Sequence, residues 1–271
     1  AGNVKIEVVT VTPDIAAAWL DKNTDNRKIA KRLVGAFSRD MTNRKWQLTG
    51  DSIKFATDGT LIDGQHRLMA CKESGRPFDT LVVYGLPHKL KSVVDTGKSR
   101  SATDVMAMNN ISNPSGTAAA LRLLAAEKTG VAPVGGIATM THSELLEIFD
   151  RHNKIYLYVP YGSQLPRGVS AAAVGFINYV GSTILGKKGR AQAMVEVLKS
   201  GIPDYDGDPI HRYRERIISN YEGSIGTYGN RVAAIQTLKY CWNMFAKRTP
   251  VERLHWQQEY VPIDGLDASK L

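Results

Sequence analysis

Thr60-Leu61-Ile62-Asp63-Gly64-Gln65-His66-Arg67-Leu68-Met69-Ala70 is the stretch on which the fold of this chain turns. An apolar run meets Asp63-Gly64, a polar cluster follows, and an apolar periodic segment continues to Glu73. That order predicts a strand, a tight turn and the first turn of a helix. Gly64 lets the backbone turn or approach a ligand without a Cβ. Gln65, His66 and Arg67 then fall at a helix amino end, where free N–H groups and the helix dipole favour an anion. Arg67 adds a fork of donors matched to phosphate oxygens. Asp63, acidic beside an anion site, suits a metal ligand or a proton acceptor. The competing reading is a buried Asp63–Arg67 pair that closes a strand–helix corner.

Outward from this stretch, Val4 to Val11 predicts an opening strand, and Ile15 to Leu20 a short helix. A polar loop with Asn23, Asn26 and Arg27 comes next. Ile29, Leu33 and Phe37 recur at helical spacing, which predicts a helix to Met41 that packs on a sheet. Asp58-Gly59 signals a hairpin between Ile53–Phe55 and Leu61–Ile62. Gly75-Arg76-Pro77 ends the helix.

The pentapeptide Asp63-Gly64-Gln65-His66-Arg67 resembles the signature of the DGQHR-domain proteins within the ParB/sulfiredoxin-like superfamily. The element order over about the first 105 residues agrees with it: Leu48 to Phe55 and Thr60 to Ile62 resemble the hairpin that delivers the signature, and Thr80 to Tyr84 resembles the strand after the signature helix. The resemblance implies a ParB/sulfiredoxin-like α/β domain that holds nucleotide phosphates at this turn. Sulfiredoxins carry a nucleophilic cysteine just before the His-Arg pair, where this chain has Gln65, which argues against sulfinic-acid repair. ParB proteins carry Arg-Arg where this chain has His66-Arg67, and no helix-turn-helix is evident at the expected place. The signature is closer to the kinase-like members, including a free serine kinase, and to a regulator of DNA phosphorothioation genes.

A second polar turn, Asp95-Thr96-Gly97-Lys98-Ser99-Arg100-Ser101, precedes a helix over Ala102 to Met108. Its Gly, Lys, Ser and Arg suit either a phosphate-cradling turn or an ordinary capped turn. Asn109 to Gly116 is the linker candidate. Beyond it the periodicity is helical: Thr117–Lys128, a capping box at Thr141–Glu144 opening a helix to His152, Val169–Leu185, Ala191–Leu198, Pro209–Tyr221 and Arg231–Lys247. The expected class is therefore α+β. An α/β nucleotide-binding domain spans residues 1–108, a linker 109–116 and a mostly helical domain 117–271.

The 271 residues are 43% hydrophobic, enough to bury a substantial core. No apolar run approaches the ~18 residues of a membrane span, and Ala1-Gly2-Asn3 shows no secretory pattern, so a cytoplasmic protein is expected. Cys71 and Cys241 suggest two buried thiols rather than a disulfide or zinc framework. His88, His142, His152 and His255 lack metal-ligand spacing. The net charge of +9 favours polyanionic partners, DNA above all. Candidate phosphate-backbone contacts are Lys187, Lys188 and Arg190 in one basic turn, and Arg212, Arg214 and Arg216 on one helix. A solvated face offset by Asp204, Asp206 and Asp208 is the preferred reading of the latter three, and plain surface serves the basic turn as well as backbone contact does.

The resemblance and the charge together lead to an NTP-dependent phosphotransferase, using ATP and Mg²⁺ and acting on DNA. A hydroxymethylated base in phage-type DNA would be its acceptor. Gly64, Gln65, His66 and Arg67 would cradle the phosphates, with Asn26, Arg27, Lys98 and Ser99 completing the pocket. Asp63 would hold Mg²⁺ or act as base, and His66 would stabilise the transferring group. The alternatives are a DNA-binding regulator switched by slow NTP hydrolysis, and a kinase for a free small molecule. A homodimer is compatible with each.

Overall fold

The computed structural model describes residues 4–24, 26, 28–88, 90, 101–130, 140–160, 162–221 and 228–271. The fold is α+β, with one mixed four-stranded sheet and a predominance of helix. Two compact units divide the chain: Ala1–Ser99 with Thr139–Ser143, and Arg100–Ala138 with Glu144–Leu271. The division falls at residues 99 and 100 rather than at 108. Asn109 to Gly116 lies inside the second unit, where the Asn113 side chain caps the helix that follows by accepting from Gly116 N.

In the first unit, strand β1 (Lys5–Val11) leads through a Thr12 cap into helix α1 (Pro13–Leu20). Helix α2 (Lys31–Thr42), the hairpin β2 (Ser52–Ala56) and β3 (Leu61–Asp63), helix α3 (Gln65–Ser74) and β4 (Phe78–Leu86) complete it. The sheet order is β1-β4-β2-β3, with β4 and β2 parallel and the other two pairs antiparallel. Strand register sends Val9, Val11, Ile53, Phe55, Phe78 and Val82 to one face, where they meet Ala16, Val34, Met41, Leu68 and Cys71 of the three helices. Helix α3 packs against both α1 and α2. Trp46 joins this core edge-on to Phe37 and Phe78, so it is packing rather than a stacking platform. The opposite face carries Ile6, Val8, Leu81, Val83, Ser52 and Lys54, and it receives none of these helices' core residues.

The second unit contains α4 (Ala102–Met108), α5 (Pro114–Thr129), most of α6 (His142–Arg151), α7 (Ala171–Tyr179) with a wider π turn over Val180–Ile184, α8 (Lys188–Ser200), α9 (Pro209–Tyr221) and α10 (Tyr228–Ala246). The described residues after β4 form no strand. Ser101 and Asp104 close a full capping box on α4. Trp242 and Phe245 are buried in the core of this unit.

A further segment, over residues 249–264, follows α10. It runs along α10 without regular structure, and side chains on one face of that helix satisfy its backbone. Gln236 accepts from Val261 N, Thr237 from Gln257 N, and Asn243 both donates to Pro262 O and accepts from Asp264 N. At its centre Lys239 is ion-paired with Glu127 of α5 (2.7 Å), and Glu127 also accepts from Tyr260 Oη and Ile263 N.

His88, His142 and His255 are exposed, and His152 is buried. His152 Nδ1 lies 3.0 Å from Tyr179 Oη. Burial, then the charges of Arg151 and Lys128, hold its pKa below the usual value. The unfolded chain therefore takes up the proton first, and stability should fall as pH drops below about 6.5. His152→Phe should flatten that slope in melting temperatures measured between neutral and mildly acidic pH; an unchanged slope would assign the acid sensitivity elsewhere.

Candidate functional site

The hairpin β2–β3 delivers the site. Its loop is held by Gly59 N to Ala56 O (3.0 Å) and Ala56 N to Thr60 O (2.8 Å). Phe55 pairs with Leu61, but Lys54 pairs with Asp63, so Ile62 is an extra residue in β3. This bulge explains why Leu61 and Ile62 are both buried although they are sequence neighbours. It also sets the Lys54 and Asp63 side chains together on the face opposite the helices.

Gly64 follows at φ 112°, and it caps α3. A Cβ there would lie 2.8 Å from Ile53 Cγ1, so the corner requires glycine for backbone reach and for packing alike. Helix α3 starts immediately, with Arg67 N and Leu68 N donating to Gly64 O. Arg67 turns back across the corner: one guanidinium nitrogen donates to Ser52 O at 2.8 Å and lies 3.5 Å from Asp63 Oδ2, whereas Lys54 Nζ is 2.7 Å from the same oxygen. The other, Nη1, is buried without a hydrogen-bond partner. Two cations thus face one carboxylate, and one donor is left over.

Gln65 and His66 are buried and hold the loop between α1 and α2. Gln65 Oε1 accepts from Asn23 Nδ2 (3.1 Å). His66 Nε2 accepts from Ala30 N (3.0 Å), at the start of α2. Asn26 donates to Leu61 O at 2.9 Å and to Asn23 Oδ1. The structure therefore brings together Asn26, Asp63, Gly64, Gln65, His66 and Arg67. Arg27, Lys98 and Ser99 lie outside the described residues.

Lys54 is the residue the sequence reading missed. The bulge at Ile62 brings positions 54 and 63 opposite each other, and nothing in the Asp58-Gly59 turn signal reveals that bulge.

With Lys54 and Arg67 against it, the Asp63 carboxylate does not suit a Mg²⁺ site of its own. No group of three or more His, Cys, Asp or Glu suited to a metal occurs among the described residues. Cys71, on α3, is buried with its thiol pushed up to about 11, and it makes close contacts with Val11 O and Arg76 O. It is therefore no nucleophile at neutral pH.

The basic residues of the second unit need correction. Arg190 is spent within the fold: it pairs with Asp204 (2.6 Å), donates to Phe245 O and lies 3.7 Å over the Phe245 ring. Arg214 donates to Leu198 O and pairs with Glu215. Arg216 donates to Leu254 O and covers Trp256. Asp208 accepts from the first N–H groups of α9, so its charge serves the helix rather than the surface. Lys188 and Arg212 are exposed, and Lys187 is half-buried at the start of α8. No described helix is long and apolar enough to cross a membrane.

Compared with known proteins, the chain matches no family model, no curated protein and no solved structure.

Proposed function

We propose that the first unit is a ParB/sulfiredoxin-like nucleotide-phosphate module, and that the protein is an NTP-dependent phosphotransferase acting on DNA. The observation that carries this reading is the corner at Gly64, where the amino end of α3 lies beside Arg67 and Lys54, with Arg67 Nη1 lacking a partner. An anion would be held there by backbone N–H groups, the helix dipole and two side-chain cations. ATP is the proposed donor, and Mg²⁺ would be brought by its phosphates, not by a protein carboxylate cluster. Asp63 acts here as the counter-ion that poises Lys54 and Arg67. Gln65 and His66 position the loop over residues 23–30.

A second reading, a kinase for a free small molecule, gains from the internal use of Arg190, Arg214 and Arg216, which removes half of the candidate DNA contacts. Incubation with labelled ATP, Mg²⁺ and either plain or hydroxymethylated DNA separates the two. Label in DNA supports the first reading. Free labelled phosphate alone points to a nucleotide-switched regulator. Arg67→Ala should weaken ATP binding by about 1.5–3 kcal/mol, roughly 10- to 150-fold. Unchanged affinity in a folded variant would reduce the corner to a structural brace.

A further inference from the structure

We propose that β1 is the interface of a twofold-symmetric homodimer, pairing antiparallel with β1 of a second copy in a register centred on Ile6. Strand β1 is an edge of the sheet, hydrogen-bonded to β4 alone among the described residues. Its outer face is apolar and uncovered: Ile6 is 62% exposed, Val8 61%, and Val4, just before the strand, 47%. No proline, and no charge on that face, protects the edge from pairing. The stripe continues inward on β4 through Val83 and Leu81, the partners of Ile6 and Val8.

The sequence of the edge selects a second copy of itself as the occupant. Val4-Lys5-Ile6-Glu7-Val8 is antisymmetric in charge about Ile6. In an isologous antiparallel pair centred there, Ile6 meets Ile6 of the partner subunit, and Val4 meets Val8 of the partner subunit. Lys5 meets Glu7 of the partner subunit, twice by symmetry. The two charged heads share one face of the strand, since Lys5 Nζ lies 2.6 Å from Glu7 Oε2 within the chain. The three apolar side chains share the other face. Both faces are thus self-complementary in this one register: a slip by one residue would set charges against the apolar stripe, and a slip by two would set like charges across from each other. The result is a continuous eight-stranded sheet, twice the four strands of one copy. The corner at Gly64 lies at the opposite edge, beside β3, so the dimer and the anion site stand or fall separately.

Sedimentation velocity across micromolar concentrations should show a species of twice the 29.7 kDa of one chain. Ile6→Lys, at an exposed position, should leave the protein folded and monomeric. Lys5→Glu and Glu7→Lys should each raise the dimer dissociation constant about tenfold or more by placing like charges opposite. The double variant Lys5→Glu/Glu7→Lys should restore it. Ile6→Cys should form a disulfide-linked dimer on oxidation, because Ile6 sits on the twofold axis and Cys71 and Cys241 are buried. A monomer at every concentration would overturn the proposal. So would a dimer indifferent to Ile6→Lys, or single charge reversals that the double reversal does not rescue.

Discussion

Glu127→Ala is expected to remove about 3–5 kcal/mol of stability from the helical unit, the range for breaking a buried ion pair from one side. The Lys239 side chain is 2% exposed and that of Glu127 5%, so neither charge can turn to water when its partner goes. Loss of the carboxylate strands the Lys239 ammonium beneath the Tyr260 ring, 4.1 Å away, and leaves Tyr260 Oη and Ile263 N without their acceptor. Burial already lowers the Lys239 pKa against the pull of Glu127. Lys239→Met should cost less, because Glu127 keeps its two hydrogen-bond donors, Tyr260 Oη and Ile263 N. Urea denaturation of the two variants tests the order. A smaller loss for Glu127→Ala than for Lys239→Met would show that the carboxylate is not the hub of this cluster.

Gly64→Ala is expected to cost about 2–5 kcal/mol, summing backbone strain at φ 112° with the close approach of a new Cβ to Ile53. Ile53 is fully buried in the sheet's core, so it has little room to retreat. Any anion bound at the corner should weaken as well, since the first N–H groups of α3 are aimed by this residue. The companion change Ile53→Ala removes the Cγ1 and Cγ2 atoms that the Cβ would strike. It should recover part of the loss in the double variant while the strain remains. Denaturation midpoints of the two single variants and the double decide it; full additivity would remove the steric half of the argument.

The corner was legible because its residues are consecutive and its chemistry is local: a strand, a residue only glycine can be, and a polar first turn. The alternation of short strands with helices up to Tyr84 was legible for the same reason. What escaped depends on partners far apart in the chain. Arg190, Arg214 and Arg216 look like a phosphate-binding set because nothing nearby reveals that Phe245, Leu198 and Leu254 offer them carbonyl oxygens. The segment along α10 has no period of its own, because its backbone is satisfied by Gln236, Thr237 and Asn243 rather than by a ladder. Those polar residues read as a solvated helix face until the segment that covers them is in view. The change of unit at residue 100 rather than 108 escaped because α4 is helical and polar-capped, like the elements on either side of it.

The long reach of Glu127 to Tyr260 and Ile263 has a consequence for the chain as it leaves the ribosome. The sheet unit's core is complete once Val82 has emerged, so that unit can fold while synthesis continues. The carboxylate and ammonium buried between α5 and α10 must wait for Ile263, 181 residues later, or roughly 10–40 s at 5–20 residues per second. Throughout that interval the helices present a charged, half-built surface to the cell, and a chaperone that shields nascent chains would find its client there and not in the sheet.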